Sequence, residues 1–221
     1  MRIFLKERLV GVGNKLQFWS AMGIFDDDIF NLKEEQPAPC QGDVLLAKPI
    51  VNDPYFKRAV VLLTAHDDEG TMGMIMNLKS EYSLADLGKE WELYSDVPLY
   101  VGGPVGLDSF TFIHTLGPTV IRNAVQLIPG LYVGGEFEDM KRYVLCGEPT
   151  EGKVKFVLGH SGWEAGQLDN ELELHDWLIS KDADIAMLMS DTEEHMWQMA
   201  LERFGDKYRL WNNWPLELHD N

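Results

Sequence analysis

The clearest alternation in the chain is KVKFVLGH (153–160). Val154, Phe156 and Leu158 fall on one side and Lys153, Lys155 and Val157 on the other, the period of a strand with one face in a core. Three apolar runs precede it. DVLLAKPIV (43–51) reads as a strand that stops near Pro49, and RAVVLLTAH (58–66) as a buried strand rich in β-branched residues. TMGMIMNL (71–78) returns after the acidic turn DDEG (67–70), so the last two form a hairpin. Residues 97–101, FTFIH (110–114) and GLYVG (130–134) supply further strands. Helical spacing takes over behind Ser83, where Leu84, Leu87, Trp91 and Tyr94 share one face and Asp86 stands at the capping position. It returns over 136–145, with Phe137, Met140 and Val144 inward and Gly147 closing the helix. A third helix is capped by Asp191, with Glu194 as its box partner. It buries Met196, Trp197, Ala200, Leu201 and Phe204 and ends at Gly205. Hairpins followed by a helix and then more strands are not a βαβ alternation. The pattern predicts an α/β protein of α+β type: a mixed, largely antiparallel sheet with a few packed helices.

With 221 residues and 45% hydrophobic content, the chain can bury one sizeable core. The acidic, proline-bearing stretch Glu34-Glu35-Gln36-Pro37-Ala38-Pro39 runs up to Gly42 and reads as a linker. Residues 1–41 are therefore expected to be an extension, arm and linker, and 42–221 a single domain. The net charge of −17 repels phosphate backbones and anionic lipid, so neither direct nucleic-acid binding nor membrane attachment is expected. Residues 1–21 have the opposite sign, with Arg2, Lys6, Arg8 and Lys15 against Glu7. These charges interrupt the apolar stretch, leaving no core for a signal peptide. Export is not expected. The segment is expected to be dispensable, with Met22 the natural start. Cys40 and Cys146 show no CxxC or Cys/His pattern, so two free thiols in a reducing, cytoplasmic setting are expected, Cys40 the more reactive.

GHSGW (159–163) is the first motif with possible chemistry. A nucleophile elbow needs glycine at its fifth position, where this chain has Trp163, so covalent catalysis by Ser161 is not expected. The stretch to Leu168 reads as a glycine-rich loop. It is either a pocket wall or, the favoured reading, a loop folded onto the core with Trp163 as plug and Gln167 tying down backbone. Ser161 and Gln167 are expected nearer the surface. Asp53 before Pro54 is turn chemistry, and Arg58 suits an internal ion pair better than an anionic ligand. His66, Asp67, Asp68 and Glu69 are consecutive, so their side chains diverge and no metal site is expected. Gly102-Gly103-Pro104 lacks the Walker pattern and suits a tight turn at a strand end.

Three segments in order, GDVLLAKPIVNDPYFKRAVVLLTAHDDEGTMGMIMN (42–77), YVGGPV (100–105) and GHSGWEAGQLDNEL (159–172), resemble the YqgE/AlgH family of bacterial proteins. The resemblance spans 42–177, with a softer tail toward Trp214. It implies a bifurcated sheet that closes into a pseudo-barrel, and a cytoplasmic bacterial protein. It supplies no reaction, and relatives are sometimes labelled transcriptional regulators. The expected function is a non-enzymatic regulatory or binding protein that engages an unknown protein partner or small ligand. The expected surface comprises Asp53, Arg58, His66, Asn77, Ser161, Trp163 and Gln167. The alternative is an enzyme of unknown class drawing on polar groups in 53–77 and 159–167, and direct DNA binding ranks third. No complete acid–base or nucleophile set can be assembled from the sequence, which favours binding over catalysis, and no cofactor is expected.

Overall fold

Large aliphatic and β-branched residues fill the strands at the centre of the sheet in the computed structural model, which describes residues 36–212 apart from 50 and 52. Among the described residues the strands are β1 (Val44–Ala47), β2 (Val60–Asp67), β3 (Gly70–Ile75), β4 (Lys79–Ser83), β5 (Pro98–Val101), β6 (Val105–His114), β7 (Val125–Ile128), β8 (Leu131–Val133), β9 (Val154–Glu164) and β10 (Trp177–Ser180). They pair in the order β10-β1-β2-β3-β9-β6-β8-β7, with β4 and β5 off this path. The pairings are antiparallel except that of β5 with β9. The architecture is thus the mixed, largely antiparallel sheet with a few helices that the pattern predicts. Its hydrogen-bonded path is open at β10 and β7, so barrel closure is not part of the sheet itself.

The bifurcation occurs at β9. One edge of β9 pairs with β6. The other edge is shared: β5 runs parallel to Phe156–Leu158, and β3 runs antiparallel to Ser161–Glu164. Gly102 sits in the fork. Its N–H donates to Leu158 O (2.8 Å), and its carbonyl accepts from Ile75 N (3.0 Å) and from Ser161 Oγ (2.9 Å). Backbones pass so closely here that a Cβ on Gly102 would lie 2.5 Å from Gly159 O, and one on Gly103 2.4 Å from the His160 carbonyl carbon. Gly103 also has φ of +151°, a conformation that favours glycine. The expected turn at 102–104 is therefore the point where β5 leaves the sheet.

Several elements differ from the sequence pattern. β9 continues to Glu164, so 160–163 is paired strand and not a glycine-rich loop. The helix expected behind Ser83 forms two 3-10 turns, Leu84–Leu87 and Lys89–Trp91, because Gly88 at φ +144° breaks it. The Asp86 carboxylate does accept from Ser83 N (2.7 Å). Helix α1 (Phe137–Leu145) buries Met140 and Val144 as expected, against Leu99, Phe112 and Phe156 of the sheet. Phe137 is 39% exposed and packs edge-on against Trp91 and Phe110. Strands β4, β7 and β10 were not anticipated, nor were the short helices α2 (Gln167–Glu173) and α3 (Ile185–Leu188). Helix α4 (Glu193–Glu202) buries Met196, Trp197, Ala200 and Leu201. Its N-cap is Thr192 and not Asp191, and Phe204 falls beyond its end. A 3-10 turn (Asp206–Tyr208) and α5 (Arg209–Asn212) follow.

Residues 36–40, read as linker, are hydrogen-bonded along β10. Ile179 N donates to Gln36 Oε1 (3.1 Å) and Lys181 Nζ to Ala38 O. Both cysteines are free and exposed. The basic segment 1–21 and the tail at Trp214 lie outside the described residues.

The fork sets a clear expectation. Gly103→Ala meets a backbone clash and a disfavoured φ, and should destabilise the fold by about 2–4 kcal/mol. Gly162→Ala on the same sheet, where a Cβ meets only ordinary contacts, should be neutral. Urea unfolding of the two variants provides the comparison.

Candidate functional site

The turn before β2 and the end of β9 meet through aromatic side chains. In the turn, Asp53 Oδ1 accepts from Tyr55 N (2.8 Å) and Phe56 N (3.2 Å), which closes an Asx turn and aims Phe56 into the molecule. Phe56 lies 6.5 Å from Trp163 and 5.6 Å from Trp177, ring centre to ring centre, and the two indoles are 6.0 Å apart. Trp163 is 5% exposed, the plug that the sequence predicts.

Polar groups of α2 close over this trio. The Glu171 carboxylate accepts from Trp163 Nε1 (2.9 Å), Trp177 Nε1 (2.8 Å) and Gln167 Nε2 (2.9 Å). Gln167 Oε1 in turn accepts from Glu164 N (3.0 Å). Gln167 thus ties down backbone as expected and is half-buried. Nearby, burial lowers the affinity of Lys48 for its proton, partly offset by Asp176. Burial, reinforced by Glu171, raises the pKa of Asp176, with Lys48 opposing.

The remaining sequence candidates also hold structure. Asn77 clamps two strands, accepting from Val60 N (2.8 Å) and donating to Arg58 O (2.9 Å). Arg58 takes up φ +52° and lays its guanidinium 5.1 Å from the centre of the Trp197 ring, and burial lowers its pKa. His66 Nδ1 is 2.7 Å from Thr71 Oγ1 across the hairpin. Ser161, expected nearer the surface, is fully buried because its side chain points into the crossing at Gly102 and Gly103, and its hydroxyl donates to Gly102 O. His66 and Trp163 flank the paired Thr71 on one sheet face, so these join the aromatic trio. Asn77 and Arg58 instead form a neighbouring clamp under Trp197. Among the described residues no group of acids, histidines and cysteines has the arrangement of a metal site.

Sequence reasoning missed Glu171, Trp177, Lys48 and Asp176. Glu171 stands four residues after Gln167, a helical spacing, but the loop assignment for 163–168 hid it. It also missed a second cluster. Lys155, placed on a polar strand face by alternation, is 2% exposed, because the backbone at Met76 and the Tyr100 ring lie against it on that face. Its Nζ donates to Met76 O (2.9 Å) and lies 4.2 Å from the centre of the Tyr100 ring. The Tyr100 hydroxyl donates to Glu193 (2.5 Å) and Asp191 (3.2 Å). Burial pushes the lysine down to about 8, with Glu193 and Asp191 partly offsetting this and Lys79 adding to it. Burial and the two carboxylates raise the pKa of Tyr100.

The chain, with its forked, largely antiparallel sheet, belongs to the AlgH-like family, whose model matches residues 44–209. It is 38% identical over 190 residues to a UPF0301 protein of Bacteroides thetaiotaomicron, covering 86% of this chain and 95% of that one. A UPF0301 protein of Parabacteroides distasonis is also 38% identical, over 88% of this chain and 98% of its own length. The solution structure of AlgH from Pseudomonas aeruginosa superimposes with a TM-score of 0.64 at 28% identity, covering 82% of this chain and 97% of that one. A crystal structure of a Corynebacterium diphtheriae protein shares the fold, with a TM-score of 0.70 at 23% identity over 85% and 98% of the two chains.

Two variants probe the clusters. Trp163→Ala removes a buried indole and strands Glu171, and should lower stability by about 3–5 kcal/mol in urea unfolding. For Lys155, the folded amine titrates near 8 against an ordinary 10.5. Between these values the unfolded chain binds more protons. Stability attributable to this group therefore rises with pH across the window and is lost as pH falls through 8. Wild type should gain on the order of 3 kcal/mol relative to Lys155→Met between about pH 7 and about pH 10.

Proposed function

We propose that this protein acts by binding: a non-enzymatic regulatory protein that engages a protein partner or small ligand where the 53–58 turn meets α2. The observation that carries this reading is the state of Ser161, the best nucleophile candidate, whose buried hydroxyl serves the carbonyl of Gly102. Asp53, Asn77 and Gln167 are likewise spent on backbone groups, so what they offer a ligand is a fixed shape. A cytoplasmic setting is supported by the two exposed, unpaired thiols. The pseudo-barrel is supported by the approach of β7 to the chain before β1: Gln41 Nε2 donates to Gln126 O (2.9 Å), and Gly42 leaves room for Ile128.

A second reading, an enzyme of unknown class, draws support from Lys155. A buried lysine of lowered pKa can act as a base or a carbonyl-reactive amine. Both readings meet one chemical test. Native protein is treated with a fluorophosphonate probe, and separately with pyridoxal phosphate followed by borohydride, and then mapped by mass spectrometry. Ser161, which has no base beside it, should stay unmodified before and after unfolding, and Lys155 should label only after unfolding. Stoichiometric modification of either residue in the native protein overturns the binding reading.

A further inference from the structure

The face of β3, β9 and β6 opposite Trp163 is left open to solvent. Along β9, Ser161 and Trp163 are buried while Gly162 and Glu164 are exposed and His160 is half-exposed. Gly162 pairs with Met72, Met72 with Ala65, and His160 with Val105, so these residues share the outer face. Met72 is 40% exposed, Val105 42% and Leu107, beside Gly159, 45%.

Gly162 is the telling residue. Gly102, Gly103 and Gly159 are demanded by close backbone approach, and Gly73 on β3 by Val61 Cγ1, 2.7 Å from where its Cβ would lie. Among the described residues a Cβ on Gly162 would meet only the His160 ring, at 3.9 Å, and its φ lies outside the left-handed region. Neither packing nor conformation asks for glycine here, and glycine inside a strand weakens it. Such a glycine marks a place where another backbone comes close.

The charge around the face has one sign. Asp67, Asp68, Glu69, Asp108 and Glu164 are exposed along its rim. Residues 59–78, 90–121 and 156–180, which carry every side chain named on this face, contain no Lys or Arg, and Lys155 of β9 is buried. We propose that this face receives a basic segment of a partner protein, apolar where it meets Met72, Val105 and Leu107 and passing with its backbone over Gly162. This surface lies on the opposite side of the sheet from the 53–58 turn and goes beyond the binding reading above. A second copy of this chain would set the same acids against each other.

The test uses two fluorescent peptides of about 18 residues, roughly five helical turns. One is a Lys/Leu amphipathic helix, and the other has every leucine replaced by serine. At physiological salt the full-length protein should bind the Lys/Leu peptide more tightly. Gly162→Val should weaken that binding about tenfold or more while the thermal midpoint stays level or rises. The double variant Met72→Ser/Val105→Ser, charge-neutral and confined to exposed side chains, should weaken it likewise. So should Asp67→Asn/Asp68→Asn/Glu69→Gln. Equal affinity for the two peptides, or wild-type affinity in either the Gly162 or the Met72/Val105 variant, overturns the proposal. Either result leaves the binding reading at the 53–58 turn untouched, since that reading falls only on native labelling of Ser161 or Lys155.

Discussion

The whole sheet depends on one crossing of backbones. Where Gly102 and Gly103 pass Gly159 and His160, no side chain fits between the strands. That closeness lets one edge of β9 serve β5 and then β3. One added methyl group at the crossing would strain both branches. Three hydrogen bonds at Gly102, one from its amide to Leu158 O and two to its carbonyl from Ile75 N and Ser161 Oγ, are the expression of the same constraint. They explain why a serine lies at a fully buried position without an acid–base partner. Buried polar groups persist where they are satisfied, and this one is satisfied by the fork.

The same economy governs the aromatic knot. Two indole N–H groups and a side-chain amide all point at Glu171, so one carboxylate fixes α2 over β9 and β10 together. Charge-assisted hydrogen bonds of this kind are stronger than neutral ones and directional, and Glu171 thereby sets the shape of the surface above Phe56. Lys155 follows a different logic. A single carbonyl and a tyrosine face stand in for water around a buried ammonium. The carboxylates of Asp191 and Glu193 act from beyond the ring, on the hydroxyl of Tyr100.

How far the sequence disclosed this can be judged from particular residues. Strand and helix types around the hairpin 58–78 and helix α4 were legible because their apolar periods are long and uninterrupted. The stretch behind Ser83 carried a helical period too, but Gly88 broke it, and periodicity is blind to one glycine. The plug role of Trp163 was legible from its size and its place after a strand. Its partner Glu171 was not, because a helix of seven residues, Gln167–Glu173, is too short to announce itself by pattern. Lys155 misled because alternation says which face a residue takes but not what packs on that face, here the backbone at Met76 and the Tyr100 ring. The fork lay hidden in glycines read as turn formers, since a sequence does not show which backbone a glycine lets in.

The lining of β10 by residues 36–40 has a bearing on solubility. β10 ends the hydrogen-bonded path, and an outermost strand offers its unpaired amides to any other strand it encounters. Here Gln36 takes the Ile179 amide through its side chain, while Lys181 holds Ala38 from the far end. The guard is built of Pro37 and Pro39, residues that cannot extend a ladder themselves. A chain trimmed past Gln36 would keep its core yet uncover a template for stacking, so the stretch preceding the sheet works as a built-in terminator against polymer growth.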